Sequence, residues 1–154
     1  MKDPQAERLY NAQEHAFTTR KRRVGPFTTV RSFESPLRSM NEVLRFSSRI
    51  VRSRWWTERG GPSYVELHHE TEWNGSARAY RWSFDRDSAD VWLPRWAWNK
   101  PIVLHELAHL IATRGQPHGP TFAGVLLEMH ELFVGKRSAK KLSAAFEKRG
   151  VRIA

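Results

Sequence analysis

Lys100-Pro101-Ile102-Val103-Leu104-His105-Glu106-Leu107-Ala108-His109-Leu110-Ile111 is apolar on nearly every side of a helix, yet it carries two histidines and a glutamate. Asn99 offers an N-cap acceptor, Pro101 is tolerated in a first turn, and Gly115 stops the pattern. The spacing therefore predicts a helix over about 100–114. Ile102, Val103, Leu104, Leu107, Leu110 and Ile111 surround its axis, as in a helix at the centre of a core. Burying two imidazoles and a carboxylate there is costly unless something satisfies them. His105 and His109 lie four apart on one face, so both rings can reach one metal ion. Glu106, beside them, can hold and deprotonate a water at that ion. Imidazole suits zinc, whose catalytic sites keep three protein ligands and one open position.

A third ligand is needed, and two residues compete for the place. His118 follows His109 by nine positions, across Gly115-Gln116-Pro117, where the backbone can leave the helix and turn back. Glu128 lies on the next helix, nineteen residues after His109. His118 is the better placed, at a chain reversal, and Glu128 reads equally as a solvated helix residue. Glu131 and His130 read as surface. His68 and His69 are adjacent on a predicted strand and so point to opposite faces, which gives both a structural role.

Working outward, Gly119-Pro120 opens a helix with the stripe Phe122, Val125, Leu126, Met129, Leu132 and Phe133, which Gly135 stops. Ser138 is the expected cap of a last helix running to Gly150. On the N-terminal side the period is two. Tyr64–Glu72, Ala77–Phe84 and Asp90–Leu93 read as strands, the first two joined through Trp73-Asn74-Gly75-Ser76, a hairpin signal. The expectation is an antiparallel β-meander, with Phe27–Phe33 as a possible fourth strand. Ser35-Pro36 is expected to start a helix over 36 to about 55, and Asp3–His15 another. Thr18–Gly25 reads as a basic linker. The fold class is thus α+β: a polar basic N-terminal helix and linker over 1–26, then one domain over 27–154 in which a small meander packs on the central helix and further helices.

With 154 residues, 40% hydrophobic, the chain can build a core. It has no cysteine, which excludes disulfide scaffolds, Cys-ligated zinc, iron–sulfur clusters and thiol catalysis. Any metal must then be held by His, Asp or Glu. No run approaches a membrane span, and the first thirty residues hold no apolar export signal, so a cytoplasmic protein without membrane contact is expected. The net charge of +10 is concentrated at the ends, in Arg20-Lys21-Arg22-Arg23, around Arg45, Arg49, Arg52 and Arg54, and after residue 101. Such ends attract DNA or another polyanion.

His105-Glu106-Leu107-Ala108-His109 followed by His118-Gly119-Pro120-x-Phe122 resembles the signature of SprT-like zinc metallopeptidases and their small zincin relatives. It is also similar to small uncharacterised metallohydrolases of actinobacteria and their phages, which share the Val-Leu-His-Glu-Leu-Ala-His run. The resemblance covers roughly residues 90–130. It implies a zincin-like domain with Zn2+ on His105, His109 and His118, and with Glu106 as the general base for peptide-bond hydrolysis. It implies also that substrate adds as a strand beside Val91–Leu93. The gap between His109 and His118 is shorter than in many SprT-like proteins, and their Cys-based zinc ribbon is absent. Tyr64, Tyr80 and Arg95 are candidate oxyanion donors, and Trp92, Trp96 and Trp98 flank the expected cleft. Two other functions remain open from the residues: a basic nucleic-acid-binding module with a vestigial or structural zinc site, and an amide hydrolase that is not a peptidase.

Overall fold

The computed structural model describes residues 3–25, 28–71 and 75–154, and of residues 19–25 and 28–32 the backbone alone. The element order is α1 (Ala6–Phe17), β1 (Thr18–Gly25), β2 (Thr28–Phe33), α2 (Met40–Val51), α3 (Arg54–Glu58), β3 (Tyr64–Glu70), β4 (Arg78–Arg81), β5 (Ser88–Pro94), α4 (Lys100–Ile111), α5 (Pro120–Phe133) and α6 (Lys136–Arg149). The architecture is α+β. Among the described residues no helix is long and apolar enough to cross a membrane.

Asn99 is extended, and its side chain accepts from the Ile102 N–H at 2.9 Å, so α4 starts at the expected cap. It ends at Ile111, and Gly115, at φ +82°, makes the reversal that follows. Val103, Leu104, Leu107, Ala108 and Leu110 are buried, which makes α4 the axis of the core.

The sheet corrects the expected meander. Its order is β3-β5-β4, with β5 parallel to β3 and antiparallel to β4. Ala89, Val91 and Leu93 bury one face of β5, while β3 and β4 alternate charged and half-buried positions. The most apolar strand takes the middle, and strands bearing Glu66, Glu70, Arg78 and Arg81 take the edges. The strands on either side of the Asn74-Gly75 turn are therefore not partners; Glu72, Trp73 and Asn74 of that connection lie outside the described residues. Because β5 is paired on both sides, Val91–Leu93 cannot receive a further strand, and the edge beside α4 belongs to β4.

The basic stretch expected as a linker is instead β1, paired antiparallel with β2 in a ribbon separate from the main sheet. Thr and Val in both strands favour extended backbone, and Pro26 lies outside the described residues. Phe27 and the side chains of Arg20 to Arg23 lie outside the described residues.

The helix expected over 36–55 starts later and is broken. Ser35 has φ 53°, and its carbonyl accepts from the Lys100 N–H, while the Leu37 N–H donates to the Trp98 carbonyl. Residues 35–37 are thus tied to the segment before α4. The cap is Ser39, which accepts from the Glu42 N–H, while Glu42 accepts from the Arg38 N–H. Ser53 then caps α3 and separates it from α2. Val43, Phe46 and Ile50 of α2 face the core.

The C-terminal helices follow the pattern, except that α6 starts at Gly135 and Ser138 lies inside it. Helix α1, expected in a segment ahead of the domain, supplies Leu9, Ala12, Ala16 and Phe17 to the same core and packs on α6. Gln5 fastens this arrangement: its amide nitrogen donates to the carbonyls of His118 and Arg152, and its oxygen accepts from the Arg152 N–H. The tail ends on α5, where a Cβ at Gly124 would overlap the Ala154 carbonyl oxygen.

Candidate metal centre

His105 and His109 project from one face of α4, and the reversal after Gly115 brings His118 to meet them just before α5. His105 Nε2 stands 3.2 Å from His109 Nε2 and 3.2 Å from His118 Nε2. The three rings form a closed group with centroids 4.8–5.2 Å apart. Phe122, fully buried, packs against all three from the first turn of α5.

The outer nitrogens explain why the inner ones converge. His105 Nδ1 donates to Gln13 Oε1 at 2.6 Å, and His118 Nδ1 donates to Asp3 Oδ2 at 2.6 Å. With its proton on Nδ1, each ring turns a lone pair inward at Nε2. Two lone pairs 3.2 Å apart repel, so this arrangement calls for a cation between them. Burial, then the neighbouring His109 and His118, hold the His105 pKa well below the usual imidazole range. Burial and His118 bring that of His109 down to about 4. Both rings are neutral near pH 7, the form that binds metal. His105, His109 and His118 therefore form the group of donors able to hold a metal ion.

Glu106 lies beside them at 6% exposure, and burial pushes its carboxyl up to about 8. It lines, with His109, a cleft of about 630 Å³ between α4 and β4. No side chain among the described residues hydrogen-bonds its carboxyl, so Glu106 is free to act on a molecule in the cleft.

Three contributors come from α1 and its approach, where the sequence reading placed none: Asp3, Gln13 and Tyr10. Tyr10 stacks on His105 at 5.2 Å, tilts against His118 at 4.9 Å, and lines the cleft. Burial, then Glu106 and Asp3, push its hydroxyl pKa up to about 12, which keeps it a donor. One signal was available: Gln13 follows Ala12 on the stripe Leu9, Ala12, Ala16, hence on the buried face.

Other candidates fall elsewhere. Glu128 accepts from Trp55 Nε1 at 2.8 Å and pairs with Arg59, away from the histidines. His130 is not surface: it is fully buried, stacked on Phe17 and bonded to Ser138. Glu131 is exposed. His68 bonds Asp90 and stacks on Trp92, while His69 meets the edge of Trp98. Glu66, His68 and Asp90 also bring donor atoms within 4.8 Å, but both Asp90 oxygens are already bonded, to His68 Nε2 and Trp82 Nε1. Of the expected oxyanion donors, Tyr80 lines the cleft, Tyr64 lines a groove beside Trp82, and Arg95 lies over Trp98. None of Trp92, Trp96 and Trp98 lines the cleft. No family model, curated protein or solved structure matches the chain.

Proposed function

We propose that the chain is a zinc-dependent metallohydrolase with a zincin-like arrangement, cleaving peptide bonds with Glu106 as general base. The observation that carries this is the convergence of three Nε2 atoms, two of them on rings, His105 and His118, whose tautomers are set from behind. Tetrahedral zinc with Zn–N bonds of about 2.0–2.1 Å separates its nitrogens by about 3.3–3.4 Å, and His105 Nε2 lies 3.2 Å from each of the other two. An all-imidazole donor set suits zinc among the common dications.

Bound zinc supplies a Lewis acid that acidifies water and polarises a carbonyl. A dication held by the three histidines would offset the burial that keeps Glu106 protonated, and the ionised carboxylate would take a proton from the attacking water and return it to the leaving amine. The Tyr10 hydroxyl, protonated at the cleft, donates to the oxygen on which charge develops. The unpaired edge of β4, running beside α4 along the cleft, supports an extended peptide as substrate through strand addition.

Metal analysis of the purified chain tests the reading. About one equivalent of zinc is expected, with Glu106→Gln keeping the metal and losing metal-dependent cleavage. A protein holding less than about half an equivalent at neutral pH sinks the proposal.

A further inference from the structure

The cleft carries three arginines, and two are already committed. Arg81 donates to the carbonyls of Arg86, Leu110 and Gly60 at 2.7–2.8 Å, which ties β4 to the end of α4. Arg78 pairs with Glu70 at 2.9 Å and lies over Trp92. Arg86 is exposed, and its hydrogen-bonding contact is a long 3.4 Å approach to Thr113 Oγ1. The carboxylates beside it in sequence are turned into their own turn. Asp85 accepts from the Asp87 N–H and Ser88 Oγ, and Asp87 accepts from the Ser63 N–H. Among the described residues no carboxylate pairs with Arg86.

Its position matters as much as its freedom. Thr113 lies two residues past the end of α4 and four beyond His109, and both line the cleft with Arg86. Glu106 is the acid lining the cleft, and its aliphatic walls are small: Ala77, Ala79, Ala112 and Pro117. Tyr10 and Tyr80 are its aromatic members, and Arg86 is its uncommitted basic group.

We propose that Arg86 selects substrates bearing a carboxylate side chain near the scissile bond. The proposal rests on the metallohydrolase reading above. A guanidinium meets a carboxylate through two parallel hydrogen bonds, which gives direction as well as attraction. A nucleic-acid phosphate has the same charge, and the test separates the two.

The test uses the zinc-loaded full chain and the hydroxamates of glutamate, leucine and lysine, whose hydroxamate group binds zinc while the side chain samples the cleft. Calorimetric titration should give glutamate hydroxamate at least about tenfold tighter than lysine hydroxamate, the leucine compound lying between. Arg86→Gln should bring the three within about twofold, and Arg86→Glu should reverse the order, with zinc content and circular dichroism unchanged. Equal binding of all three to the unmodified chain overturns the proposal, as does a preference that survives Arg86→Glu. Equal binding with displacement by a short single-stranded oligonucleotide also overturns it and assigns Arg86 to phosphate. A chain that takes up no zinc and binds no hydroxamate fails at the metallohydrolase reading, and this proposal falls with it.

Discussion

Asp3 and His118 are 115 positions apart, yet one Asp3 carboxylate oxygen accepts from both the backbone N–H of His118, at 3.2 Å, and its ring Nδ1, at 2.6 Å. The start of the chain thus sets the tautomer of a ring that sequence places with α5. Partners of this kind govern affinity as well as orientation, and losing one typically costs 10–100-fold in metal binding. Asp3→Ala should weaken zinc binding by about that factor in competition against a chromophoric chelator, and Asp3→Asn, which keeps an acceptor, by less. Affinity unchanged in Asp3→Ala would mean that packing on Tyr10 and Phe122 alone aims the ring.

The two rivals for third ligand separate by what each substitution removes. His118→Ala deletes a donor and should leave the chain unable to retain zinc through gel filtration. Glu128→Ala deletes the acceptor of Trp55 Nε1 and the partner of Arg59, so zinc content should stay at one equivalent while urea stability falls by about 1–2 kcal/mol. Zinc lost from Glu128→Ala with its stability intact would reverse the assignment.

Residues close in sequence were legible, and pairings across it were not. Asn99, Pro101 and the all-round apolar pattern placed α4, and Gly115 with His118 placed the third ring, because each signal acts within a few positions. Period two marked the strands, but it says nothing of which strand lies beside which. The apolar character of Ala89, Val91 and Leu93 was the clue that β5 belongs in the middle. Asp3 and Gln13 stayed hidden for a related reason: a polar residue in the first helix or just before it looks solvated until its donor is found 115 or 92 positions away.

Tyr10 tests the division between holding metal and using it. Its ring packs on His105 and His118, but among the described residues its hydroxyl donates to neither Nε2. Tyr10→Phe keeps the ring and removes only the hydroxyl. Zinc affinity should be unchanged, while kcat falls at least about tenfold with KM nearly constant, as for loss of a donor to the transition state. A rise in KM at constant kcat would instead make the hydroxyl a substrate-binding group.

His130 makes the fold sensitive to acid from a place remote from the cleft. Its ring is fully buried and lies flat on Phe17 at 4.7 Å; Nδ1 is bonded to Ser138 Oγ, and Nε2 has no partner. Burial pulls its pKa down to about 3, against about 6.5 in an unfolded chain. Between these values the unfolded state binds a proton that the folded state refuses. Stability is therefore fully present above pH 6.5 and falls by roughly 1 kcal/mol per pH unit as the pH drops towards 3, where the loss levels off. His130→Gln removes this titration and some packing. In urea denaturation at pH 7.5 the variant should be the less stable chain, and by pH 4.5 the gap should close by roughly 2–3 kcal/mol. Comparing the two chains at each pH cancels the titrations they share, apart from the small part of the His105 shift that His130 itself causes. A gap of constant size across that range would show that the buried His130 ring is not what acid attacks.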